Sequence, residues 1–246
     1  MISSHTTASD SRLPIYQRLK DDFVRRITQG VWTPDKPISS ETQLAAELGV
    51  STGTVRKAIE DLVQDGFLFR TQGKGTFVRR ADFGNALARF FRHTDASGTP
   101  LRPRGQMLKV EEVDGRPQVS ALLRLDPATP LLKLRRLRLI GDTPKLYEEI
   151  FVSKDRFAPL AALPLDAFGD LLYPLYEKAC GHRVFRATET IRFDKASATA
   201  AKHLGTARGE PVAVIERLAI GFDGLPLEWR CSVGLASQFA YSVELR

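Results

Sequence analysis

The sequence predicts an α+β protein built in two parts. Up to about residue 64, apolar residues recur at helical spacing, and two short β-like runs follow around a glycine-rich tip. After residue 130 the apolar period changes to two, with helical stretches in between. A length of 246 residues allows one large or two modest domains. The expected division is a disordered tail at 1–12, a first domain at 13–80, a linker at 81–100 and a second domain at 101–246.

In the first domain, Pro14 sits where a helix can begin, because its missing N–H is no loss there. Ile15, Leu19, Phe23 and Ile27, with Tyr16 and Val24, then recur at helical spacing up to Gly30. A turn-rich connector, Trp32 to Pro37, leads to a second helix from Glu41 to Leu48 with Leu44 and Leu48 inward. Ser40 is its expected N-cap. After Gly49 and Val50, Ser51 caps a third helix whose inward face is Val55, Ile59, Leu62 and Val63. Asp65-Gly66 closes it. Phe67–Thr71 and Thr76–Arg80 read as strands joined at Gln72-Gly73-Lys74-Gly75. Helix, helix, tight turn, helix and hairpin make a winged helix-turn-helix.

Composition narrows the classes of function. Apolar residues make up 43% and charged residues 26%, as expected of a packed globular chain. No apolar run is long enough to span a bilayer, and the Ser/Thr-rich start shows no signal peptide. Cys180 and Cys231 are too few for a disulfide framework or a four-thiolate zinc site. His5, His93, His182 and His203 are scattered, so no metal centre and no cofactor is expected, and the expected compartment is the cytoplasm. Phosphate-loop, nucleophile-elbow and Cys/His catalytic signatures are absent, so no catalytic residue is assigned.

The net charge is +7, and Phe67 to Arg80 holds Arg70, Lys74, Arg79 and Arg80 without one acid. The third helix presents Thr52, Thr54, Arg56 and Lys57 outward, hydroxyls and cations of the kind that reach base edges and phosphates. Ser51, Thr52, Thr54, Arg56 and Lys57, with Gln72, Gly73 and Lys74 of the wing tip, are the expected DNA-binding residues. Arg56 is the arginine expected to matter most.

The order Pro14-Ile15-Tyr16-Gln17, Ser40-Glu41, Gln43-Leu44-Ala45, Leu48-Gly49-Val50-Ser51, Thr54-Val55-Arg56 and Gln72-Gly73-Lys74-Gly75-Thr76-Phe77-Val78 resembles the GntR family of bacterial transcription regulators. The resemblance covers about residues 13–80 and implies a helix-turn-helix from Glu41 to Glu60. Where the family usually carries two operator-contacting arginines, this chain has Thr42 and Thr52, which cannot fork a guanine.

In the second part, Leu131–Ile140, Lys145–Ser153, Pro211–Gly221 and Leu225–Val233 read as strands, with helices near Leu171–Cys180 and Ala196–Leu204. An antiparallel sheet made largely of hairpins follows. The chain weakly repeats itself: the run from Pro130 to Pro144 resembles that from Pro211 to Pro226, each a strand, a turn with Asp and Pro, and a second strand. Strand alternation puts Arg136 and Arg138 on a face with Leu132 and Leu134, and Glu148 on a face with Leu146, Ile150 and Val152. Glu228, Arg230 and Ser232 have the equivalent parity in the repeat. Charges set into apolar faces read either as a structural salt bridge, such as Arg138 with Glu148, or as a pocket for a small polar ligand.

This half resembles the UTRA effector-binding domain of the HutC subfamily of GntR regulators, a fold related to chorismate lyase. The resemblance rests on Leu134 to Leu139, Glu148, Leu172-Tyr173, Gly181, Glu189-Thr190-Ile191 and Asp223 to Glu228. It implies an effector pocket lined by Arg136, Arg138, Glu148 and Glu228, to which parity adds Arg230 and Ser232. The expected protein is a homodimeric, non-enzymatic repressor. A small anionic metabolite would release it from a double-stranded DNA operator, with no membrane partner. An enzyme of lyase-like fold carrying a DNA-binding arm is the alternative.

Overall fold

A computed structural model of the chain describes residues 13–79 and 103–240. These form two compact units, one on each side of residues 80–102. The expected tail at 1–12 and linker at 81–100 lie outside the described residues.

In the first unit, α1 (Ile15–Thr28) buries Leu19, Phe23 and Ile27, while Ile15 at its start stays half exposed. α2 (Glu41–Leu48) opens with a reciprocal cap: Gln43 N–H donates to Ser40 Oγ at 3.3 Å, and Ser40 N–H donates to Gln43 Oε1 at 2.9 Å. It stops at Gly49, whose φ of 65° suits glycine. α3 (Thr52–Gln64) starts at Ser51, which accepts the Thr54 N–H at 3.2 Å, and buries Val55, Ala58, Ile59 and Leu62. Ala58 takes the inward place expected of Val63, which is only half-buried.

β1 (Leu68–Thr71) and β2 (Gly75–Val78) form the antiparallel wing. The connector before α2 is tied to both ends of this unit. Trp32 packs on Phe23 with ring centroids 4.8 Å apart and the planes tilted by 39°, and Ile38 N–H donates to the Thr76 carbonyl at 2.8 Å.

The second unit is a six-stranded antiparallel sheet. Its strands are β3 (Arg104–Val113), β4 (Leu131–Ile140), β5 (Thr143–Ser153), β6 (Val184–Lys195), β7 (Pro211–Gly221) and β8 (Pro226–Leu235). Their order is β3-β4-β5-β8-β7-β6. The two edge strands, β3 and β6, are absent from the sequence reading. Both alternate charged and polar residues with few large apolar ones, because an edge strand meets the core on one face only.

The helices divide between the faces of the sheet. α4 (Pro117–Leu123) and α7 (Ala198–Leu204) cover one face. The other is covered by α5 (Ala158–Ala161), a 3-10 turn at Leu165–Phe168 and α6 (Leu172–Cys180), through Phe157, Leu160, Phe168, Leu172 and Tyr176. The two repeated segments are the hairpins β4-β5 and β7-β8, adjacent at the β5/β8 pairing. No helix among the described residues is long and apolar enough to cross a membrane.

Candidate functional sites

The expected DNA-reading residues lie on the first turns of α3 and at the tip between β1 and β2. Ser51 and Thr54 spend their hydroxyls on the cap of α3, with the two oxygens 2.8 Å apart. Thr52 is exposed beside them. Arg56 and Lys57 are exposed and each is held by an acid: Arg56 Nε donates to Glu41 Oε2 at 2.8 Å, and Lys57 Nζ to Asp61 Oδ1 at 2.8 Å. Glu41 also accepts from Arg70 Nη2 at 2.9 Å, so it joins α2, α3 and the wing. The hydrogen bond to Glu41 raises the Arg56 pKa, which keeps its charge fixed. The wing tip of Gln72, Gly73 and Lys74 is exposed. Gly73 has φ 72°, and an added Cβ there meets nothing within 4 Å; an approaching phosphate would find the same open space.

In the second unit the strand register puts Arg136 opposite Glu148 and Glu148 opposite Ser232. Arg230 lies two residues along, opposite Ile150 on one side and Arg217 on the other, and Glu228 two residues further. These residues therefore share one face across four strands. They form a closed network. Arg136 holds Glu148 through Nε and Nη2, both at 2.7 Å. Ser232 Oγ donates to the same carboxylate at 3.0 Å, and Arg230 Nη1 stands 3.5 Å from it. Arg230 also forks Glu228, at 3.0 and 2.9 Å.

Burial by itself would push the Glu148 carboxyl up. Arg136, Arg230 and Arg138 overcome that and hold it far below the usual carboxylate range. The salt bridge of Arg138 with Glu148, the example given for the structural reading of these charges, does not form, because Arg136 and Arg230 occupy that carboxylate.

Arg138 is the group left over. It is 4% exposed, its Nη1 donates to the backbone carbonyl of Asp170, and its Nε is buried with no hydrogen-bond partner. Burial and the neighbouring Arg136 charge lower its pKa to about 10. The Asp170 carboxylate in turn accepts the Gly105 N–H at 2.7 Å. Gly105 is a glycine for a reason: an added Cβ would lie 2.8 Å from the Gly169 carbonyl oxygen and 3.3 Å from Arg138 Nη1.

Sequence reasoning missed several members of this cluster. Tyr176 donates to Glu228 at 2.6 Å and Tyr173 at 3.2 Å, both from α6. Arg217 Nε donates to Glu189 at 2.7 Å. The internal repeat carried the signal for Arg217, since aligning Pro130 with Pro211 places it on Arg136. Nothing in the local pattern around Gly169-Asp170 marked that loop. A separate cavity of about 400 Å³ lies on the opposite face of the sheet, against Val119, Phe151, Trp229 and Cys231, away from Arg138.

Residues 99–240 match the UTRA domain, and residues 15–78 match the family described as bacterial regulatory proteins, gntR family. Among curated relatives, the chain is 27% identical over 232 residues to the HTH-type transcriptional repressor NagR of Bacillus subtilis, covering 94% of each. It is 36% identical over 111 residues to the histidine utilization repressor of Pseudomonas aeruginosa, 44% of each chain. Among solved structures, PhnF from Mycobacterium smegmatis shares the fold at a TM-score of 0.55 and 20% identity, over 95% of this chain and 99% of that one. The chain belongs to the gntR family of bacterial regulatory proteins, as a DNA-binding transcription regulator whose winged helix-turn-helix is followed by a UTRA domain.

Proposed function

We propose that this chain is a homodimeric cytoplasmic repressor whose UTRA domain binds a small anionic metabolite at Arg138 and then releases the operator. The carrying observation is the leftover arginine. Every other charge in the cluster has an opposite charge in contact, whereas Arg138 has only a carbonyl and a buried, unpartnered Nε. A buried cation without a counter-charge is costly, and a carboxylate or phosphate satisfies a guanidinium fork through two hydrogen bonds.

The route to the DNA-binding unit starts at the same atoms. An anion on Arg138 competes with the Asp170 carbonyl, and the Asp170 side chain holds the Gly105 amide at the start of β3. Gly105 lies three residues from the segment 80–102 that joins the two units. A ligand that favours the displaced Asp170 loop therefore shifts the balance between DNA-competent and released states.

Calorimetric titration with a panel of small carboxylates and phosphates tests this, wild type against Arg138→Ala. The variant is expected to lose ligand binding and ligand-induced release while keeping operator affinity. A variant that responds to the same ligand at wild-type concentrations refutes the site.

A further inference from the structure

We propose that Arg230 closes the glutamates of the Arg138 site to ligand ammonium groups, so that the site takes a monocarboxylic acid with no cationic substituent. This rests on the anion reading above and narrows it from anions in general to one class. The two glutamates are the places where a ligand cation would bind, and both are filled. A carboxylate offers about four lone-pair sites. Glu148 spends them on Arg136 Nε and Nη2, Ser232 Oγ and Arg230 Nη1. Glu228 spends them on Arg230 Nε and Nη2 and on the hydroxyls of Tyr173 and Tyr176. Arg230 touches both carboxylates. It is 4% exposed, and its guanidinium carbon lies 5.6 Å from the centre of the Tyr173 ring, so the protein's own cation is fixed in the position a ligand ammonium would need.

Around Arg138 the charges are of the other sign. Arg136 Nη1 stands 3.4 Å from the Asp170 carbonyl that Arg138 also holds, so an anion that takes the place of that carbonyl meets both arginines. Besides burial, Arg136 and Arg230 lower the Arg138 pKa, and Glu148 and Asp170 act against them. Asp170 is exposed, and its carboxylate is engaged by the Gly105 N–H. Among the buried groups, Arg136, Arg138 and Arg230 face Glu148 and Glu228, which leaves one positive charge unmatched.

One carboxylate balances that charge. A phosphate monoester carries roughly −1.5 to −2 at neutral pH and overshoots it. An ammonium on the same small acid would restore the excess and stay buried without a counter-charge, which is costly. It would also bring only donors to a place where Arg138 Nε–H is the group lacking a partner. A hydroxyl on the same carbon accepts from that N–H. The network therefore separates an α-hydroxy acid from the α-amino acid of the same skeleton.

Calorimetric titration of the full chain compares lactate with alanine, glycerate with serine and phenyllactate with phenylalanine, with inorganic phosphate and glycerol phosphate alongside. In each pair that binds, the hydroxy acid is expected to bind at least about tenfold more tightly. Arg230→Gln removes the charge and uncovers both glutamates, and it is expected to bring the two members of a pair within about threefold of each other. Arg230→Gln combined with Glu228→Gln removes one charge of each sign, so it keeps the test open if the single variant does not fold. It still uncovers Glu148, and the same narrowing is expected. Equal binding of both members by the wild type overturns the selectivity, and a full preference kept by a folded Arg230 variant overturns Arg230 as its source. Binding of phosphates without any hydroxy acid overturns the monocarboxylate class. All three results leave the anion site standing, whereas a panel in which neither acids nor phosphates bind overturns that site and this proposal together.

Discussion

The carboxylate of Glu41, the first residue of α2, accepts the Nε–H of Arg56 on α3 at 2.8 Å. Its other oxygen accepts from Arg70 of the wing at 2.9 Å. One acid thus aims two cations that would otherwise sample many rotamers, and cancels one of their two charges.

For Arg56 the expectation is a loss of specific reading. Thr42 and Thr52 cannot fork a guanine, which leaves Arg56 as the arginine of the helix-turn-helix core. Arg56→Ala is expected to cost about 1–3 kcal/mol of operator affinity, and much less on unrelated DNA. Fluorescence anisotropy with both duplexes at one salt concentration measures the difference. Glu41→Gln is expected to act in the opposite sense on unrelated DNA, because it frees a net positive charge, and so to narrow the gap between the two duplexes.

Lys74 at the wing tip has no ion pair among the described residues and stands exposed beside Gly73. A lysine so placed neutralises phosphate without reading sequence. Lys74→Ala is expected to weaken binding to all duplexes alike and to flatten the slope of log K against log salt by about one unit. An unchanged slope means that the wing does not touch the backbone.

How much of this was legible in the sequence depends on where each signal lived. The first unit was legible almost throughout, since caps, glycine stops and apolar spacing are local, as at Ser40, Gly49 and Ser51. The shared face of Arg136, Glu148, Arg230 and Ser232 was legible too, because strand parity is local and the repeat supplied the second hairpin. The partners were not. Glu148 meets Arg136 and Arg230 rather than Arg138, and that choice is made by strand order, with β8 inserted next to β5. Tyr173, Tyr176 and Asp170 enter from the covering layer, whose docking leaves no mark in the strands themselves.

The Glu148 network predicts an acid-sensitive UTRA domain. Its folded-state carboxyl titrates well below the ordinary value of 4.5, held there against burial by Arg136 and Arg230. A depressed folded value contributes stability that is present above the unfolded value and lost as pH falls toward the folded one. The melting temperature is therefore expected to fall as pH drops below about 4.5. Glu148→Ala, which leaves two buried arginines short of a partner, is expected to cost about 3–5 kcal/mol at neutral pH. Its melting temperature should also depend less on pH between 4.5 and 3 than that of wild type. Differential scanning calorimetry of the full chain reads both effects.

Asp170 gives the sharpest test of how binding is transmitted. Its carbonyl touches Arg138 and its carboxylate holds Gly105, so one residue spans the proposed ligand site and the entry to β3. The preceding Gly169 has φ 58° and ψ −165°, a conformation essentially limited to glycine, which sets the path by which the chain enters Asp170. Asp170→Ala keeps that backbone carbonyl and deletes the grip on Gly105, together with a negative charge that acts on Arg138. It is expected to bind the anion within a few-fold of wild type and to lose most ligand-induced release. Gly105→Ala drives a methyl group to within 2.8 Å of the Gly169 carbonyl oxygen, so the loop must move without ligand. It is expected to bind operator more weakly from the start and to respond little to the ligand. Titration of ligand and of operator separates the two effects. If Asp170→Ala releases DNA as wild type does, the coupling does not run through Gly105, and the ligand site at Arg138 stands or falls on its own test.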